Sequence, residues 1–89
     1  MDDRIEKGML AVSRAGHDCG KLYLIVDADS RFVWLADGKL KSVSKPKKKS
    51  RKHIQVIRRE RSCLPETAAD EEVKRILKLY REKQEVWNV

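Results

Sequence analysis

Residues 8–38 read GMLAVSRAGHDCGKLYLIVDADSRFVWLADG. This stretch holds most of the chain's strand-forming apolar residues together with the glycines that turn them. Met9 to Val12 and Leu22 to Val26 are short runs rich in β-formers, separated by Gly16 and Gly20 around the polar His17, Asp18 and Cys19. Two strands joined by a glycine-bracketed loop follow from that pattern. Phe32 to Leu35 is a third run, ending at Asp37-Gly38, a dipeptide suited to positive φ. The three runs predict a meander of three strands.

Strand periodicity places Leu10 and Val12 on one face and Met9 and Ala11 on the other. In the second strand Leu22, Leu24 and Val26 share a face opposite Tyr23 and Ile25. Apolar residues on both faces require burial on both sides, which a small, curved five-stranded barrel with a covering element supplies. His53 to Ile57 alternates and predicts a closing strand with Ile54 and Val56 on one face. Further on, Pro65 suits the approach to a helix, and Thr67 followed by Asp70 has the form of a capping box. Ala69, Val73, Ile76, Leu77 and Tyr80 recur at helical spacing, so a helix is expected from about Thr67 to Glu85. Acid-before-base pairs at i,i+4, Asp70 with Lys74 and Glu71 with Arg75, support it.

Charge is unevenly placed along the 89 residues, whose formal net charge is +7. Lys39 to Arg61 holds eleven Lys or Arg against the single acid Glu60, whereas Glu66 to Val89 is close to neutral. A polyanion or an acidic surface is the partner this distribution implies. Val43 to Lys52, VSKPKKKSRK, has one apolar residue and one proline, and low hydrophobicity with mutual repulsion predicts an extended, mobile loop between strands. Lysines on such a loop each meet a phosphate and release counterions. Two other readings of the run are a solvated loop that serves solubility and a nuclear import signal, the latter disfavoured inside a fold.

The ordering of these segments resembles the KOW motif of ribosomal proteins and transcription elongation factors. The residues that carry the resemblance are Val12, Gly16, Gly20, Lys21 and the run Leu22 to Val26. Large-subunit ribosomal KOW proteins are the closer likeness: their chains read much like VSRAGHDCGKLYLIVD, continue to a turn like Asp37-Gly38-Lys39, and enter a lysine-rich tract. The resemblance spans roughly residues 5 to 57. The chain departs from the pattern at Cys19, where many members carry lysine before the second glycine.

From this resemblance and the two-faced strands, the expected fold is mainly β, a small SH3-like (KOW) barrel at residues 1–62 with a basic loop at 39–53. Residues 63–89 are expected to form a linker and an amphipathic helix packed on the barrel. The implied function is noncatalytic binding of structured, ribosomal RNA by a ribosome-associated, assembly or translation accessory factor. Candidate RNA contacts are Arg14, His17, Lys21, Lys39, Lys41, Lys45, Lys47, Lys48, Lys49, Arg51 and Lys52, with Gly16 and Gly20 shaping the loop. Tyr23 and Trp34 are read as packing residues that also have the chemistry to stack on bases. The alternative is an adaptor for ribosomal or transcription proteins, gripping a partner with the barrel or with the stripe Val73, Ile76, Leu77 and Tyr80, and meeting polyanions nonspecifically.

Nothing in the inventory builds an enzyme. His17 and Cys19 fall short of a zinc ligand set, and Cys63 and His53 are remote in sequence. Neither a phosphate-binding GK[ST] loop nor a dinucleotide fingerprint is present, so no catalytic residue, metal or cofactor is expected. The opening MDDRIEKG is polar and no apolar run is long enough to span a bilayer, which predicts a cytoplasmic, monomeric protein with Cys19 and Cys63 reduced.

Overall fold

In the computed structural model, which describes residues 5–61 and 69–87, five antiparallel strands precede one helix. The strands are β1 (Met9–Ser13), β2 (Leu22–Ala28), β3 (Phe32–Ala36), β4 (Lys47–Ser50) and β5 (Ile54–Arg61), and the helix is α1 (Asp70–Trp87). They form one sheet in the order β4-β3-β2-β1-β5. A flat sheet would separate its outer strands by about 19 Å, four spacings of roughly 4.8 Å. Yet β4 and β5 are those outer strands, joined only by a 3-10 turn at Arg51–His53. Such a link reaches at most about 14 Å even when extended, so the sheet has to curl into a half-barrel.

Curling gives the two-faced strands two different environments. Met9, Ala11, Tyr23, Ile25, Val33 and Leu35 make the core inside the curl, with Ile54 and Val56 packed against it. Leu10, Leu22, Leu24 and Ala36, on the opposite face, are covered by Val73 and Leu77 of α1. The helical stripe is therefore committed to the chain's own fold: Val73 and Leu77 are fully buried, and Ile76 and Tyr80 pack at their edge. The helix, expected from about Thr67 to Glu85, runs from Asp70 to Trp87; fold class and strand faces follow the sequence reading.

The lysine-rich segment does not. Lys47 to Ser50 is neither loop nor mobile linker but a strand, paired in register with Leu35, Trp34, Val33 and Phe32. Repulsion along the run is relieved because its side chains alternate between two partners: Lys47 and Lys49 share the inner face with Leu35 and Val33, while Lys48 shares the outer face with Trp34. A second difference lies in α1. The acid-base pairs are Glu71 with Lys74 and Glu72 with Arg75, at i,i+3. Asp70 instead accepts a hydrogen bond from the Val43 amide at 2.7 Å, tying the β3–β4 connection to the helix start. Thr67, the expected cap, and Cys63 lie outside the described residues.

Gly38, at φ +80, lies where the β3–β4 connection meets α1; a Cβ there would sit 2.6 Å from the Asp70 carbonyl oxygen and 2.7 Å from Lys74 Cγ. Gly20, at φ +90, has open space at the same position. Gly20→Ala is expected to lose about 1–2 kcal/mol from backbone strain alone, and Gly38→Ala about 1–3 kcal/mol more from overlap with the helix. Denaturant unfolding of the two variants checks this, and equal losses would mean that α1 does not press on Gly38.

Candidate nucleic-acid interface

The β1–β2 hairpin loop is closed by backbone hydrogen bonds: Ser13 N donates to Lys21 O, Gly20 N to Ser13 O and Lys21 N to Asp18 O. Closure aims the Asp18 carboxylate into the mouth of the half-barrel, where four side chains meet it. Lys49 Nζ lies 2.8 Å from Oδ1 and Lys47 Nζ 2.9 Å from Oδ2. Ser13 Oγ and the Tyr23 hydroxyl also donate to it, each at 2.9 Å. Lys49 donates further to the Ala15 carbonyl at 2.8 Å, and its side chain is only 9% exposed.

Burial pushes the Asp18 carboxyl up, but the Lys49, Lys47, Tyr23 and Ser13 hydrogen bonds outweigh it and hold the group well below the usual carboxylate range. The same surroundings, burial first and then the Asp18 charge, raise the Tyr23 phenol above its ordinary value. Asp18 is thus the pin between the glycine loop and β4.

Asp37 organises the next corner. Its Oδ1 accepts from the amides of Lys39 and Lys41, both at 2.9 Å, and Oδ2 pairs with Lys21 Nζ at 2.7 Å. Burial raises this carboxyl, and Lys21 and the two amides bring it down to about 2. The turn turns Lys39 and Leu40 out to solvent.

Of the candidate contacts, then, Lys21, Lys47 and Lys49 are held by internal carboxylates. Arg14, His17, Lys39, Lys45, Lys48 and Lys52 are exposed, and Lys41 is half-buried. Among the described residues, no ion pair found engages Arg14, Lys39, Lys45, Lys48 or Lys52. Arg14 donates to Gln55 Oε1 at 2.7 Å, and its amide to the His53 carbonyl at 2.8 Å, which sets the glycine loop beside the 3-10 turn carrying Lys52. Arg51 is turned to the Asp29 and Ser30 carbonyls. Gly16 and Gly20, both at positive φ, sit exposed on the loop.

The aromatic residues separate. Tyr23 is buried in the core, whereas Trp34 and Phe32 are half-exposed on the outer face, with Lys48 Nζ 4.2 Å from the Phe32 ring centre and 5.8 Å from that of Trp34. Cys19 is exposed and unpaired. Among the described residues no group of three or more His, Cys, Asp or Glu is placed to hold a metal ion, and no helix is long and apolar enough to cross a membrane.

The exposed bases thus come from separate segments: Arg14 and Lys52 meet where the glycine loop adjoins the 3-10 turn, Lys48 stands on the outer face of β4, and Lys39 and Lys45 lie on the β3–β4 connection. Compared with known proteins, the chain matches no family model and no curated sequence.

Removing Asp18 strands the buried Lys49 ammonium. Asp18→Ala is expected to cost about 3–5 kcal/mol, measured by denaturant unfolding, with Lys49→Met restoring part of the loss in the double variant. Acid gives an independent check. Both carboxyls titrate lower in the folded chain than their unfolded value of about 3.9, so the unfolded state binds more protons as the pH falls. The stability they supply is full above about pH 5 and, for Asp37, is lost as the pH falls through about 4 toward about 2. Asp37→Asn should flatten that part of the stability profile.

Proposed function

We propose that this chain is a noncatalytic RNA-binding protein of the KOW kind, cytoplasmic, docking on folded ribosomal RNA as a ribosome-associated, assembly or translation accessory factor. The observation that carries the reading is the sorting of the basic residues. Lysines that enter the fold are matched with Asp18 and Asp37, while Arg14, Lys45, Lys48 and Lys52 stay exposed, and the glycine loop is open to close approach at Gly20.

Cations placed on a rigid strand and a hydrogen-bonded loop present phosphate contacts at fixed spacing. Helical RNA is recognised in that way, through shape, phosphates and 2′-hydroxyls rather than base edges. The resemblance of Val12, Gly16, Gly20, Lys21 and the following apolar strand to ribosomal KOW proteins supplies the choice of ribosomal RNA. The adaptor reading loses its strongest surface, because the helical stripe is covered by β1, β2 and β3.

A test uses only the exposed positions, since substitution of Lys47 or Lys49 would damage the fold. Arg14→Gln, Lys45→Gln, Lys48→Gln and Lys52→Gln combined should leave the melting temperature near wild type. The slope of log K against log salt for large-subunit ribosomal RNA should shrink by about 3–4, with wild type preferring that RNA to duplex DNA of matched length. Equal binding of RNA and DNA, or an unchanged slope in the variant, would overturn the proposal.

A further inference from the structure

Taken as a segment, the stretch around α1 is nearly neutral, but its bases are not scattered. Lys74, Lys78 and Arg81 recur at i, i+4 and i+7, one line along the helix. That line forms one wall of a cleft of about 510 Å³ between α1 and the Asp37–Lys41 turn. Lys39 and the Lys21–Asp37 pair form the other wall, so five bases and one acid face the same space. Glu71 approaches Lys74 only at 3.5 Å and is 86% exposed, a pairing that solvent weakens.

The cleft adjoins a second depression, of about 530 Å³, with which it shares Lys21 and Arg81. Val12, Leu22, Ile57 and Tyr80 line that depression beside Gly20. A continuous groove results, apolar along one part and basic along the other. Its glycine end has nothing within 4 Å of the missing Cβ, so another backbone can come close.

We propose that this groove is a second phosphate-binding site, taking one sugar–phosphate strand of a structured RNA from the side of the glycine loop opposite the β4 turn. The chemistry of a ribose-phosphate chain fits both parts: phosphate is held among Lys39, Lys74, Lys78 and Arg81, while the adjoining nucleotide lays its sugar carbons on the apolar lining beside Gly20. An acidic peptide would satisfy the bases without using the apolar part in a regular way. The identity of the strand as RNA rests on the function proposed above; the anion site itself does not.

Two measurements on the full chain separate the two ideas. In the first, Lys74→Gln, Lys78→Gln and Arg81→Gln are combined; all three side chains are at least partly exposed, so the melting temperature should hold. Binding of large-subunit ribosomal RNA should weaken about tenfold at near-physiological salt and the salt slope should fall by about 2–3. Wild-type affinity and slope in the triple variant, or poly-glutamate binding as tightly as RNA, would overturn the groove. In the second, tripolyphosphate is titrated into labelled protein while backbone amide resonances are followed. Saturable shifts at Lys39, Lys74 and Lys78 that vanish in the triple variant support the anion site even if wild type binds no RNA. Absence of those shifts, or their persistence in the variant, overturns it.

Discussion

One carboxylate holds the architecture of the basic side together. Asp18 accepts two ammonium groups and two hydroxyls, from β4 and from both strands of the β1–β2 hairpin. Without it, Lys47 and Lys49 would bring two charges to the edge of an apolar core with no counterion, and β4 would have no reason to lie along β3. With it, the most repulsive stretch of the chain becomes an ordered edge strand. Desolvating one anion and two cations is costly, and the two hydroxyl donors and the Ala15 carbonyl offset that cost by satisfying most of the remaining polar capacity of the cluster.

The lysines of β4 consequently have different work on the two faces of one strand. Inward ones bind the glycine loop to the sheet; the outward Lys48 rests over Phe32 and Trp34 and remains open to solvent. A lysine-rich outer strand also resists edge-to-edge pairing with another sheet. Solubility and ligand contact are therefore compatible uses of the same residues, and the internal pairing explains why only part of the basic run is open to a partner.

Helix α1 plays a parallel double role. Its apolar line closes the outer face of β1 and β2, while the neighbouring line of Lys74, Lys78 and Arg81 faces the Asp37 turn. Gly38 lets the two elements approach until the first turn of the helix fills the place a Cβ would take, and Asp70 secures the connection through the Val43 amide. A segment close to neutral in total thereby presents positive charge in one direction, because helical geometry sorts residues by angle rather than by sum.

Local pattern was enough to read the strands, their two apolar faces, the glycine loop, the turn at Gly38 and the amphipathic helix. Those features depend on alternation, on helical spacing and on the φ preference of glycine, all of which act over a few residues. The same pattern misread Lys47 to Ser50, since repulsion within the run is local whereas its remedy, Asp18, lies about thirty residues away. Only Asp18 itself carried a trace of this role in the sequence, as a lone acid between Gly16 and Gly20 of the glycine loop. Which lysines are buried pairs and which face outward, and the groove that gathers Lys39 with Lys74, Lys78 and Arg81, emerged only on folding. Charge pairing and concavity are properties of residues brought together across the curl of the sheet, and their separation along the chain carries no record of that distance.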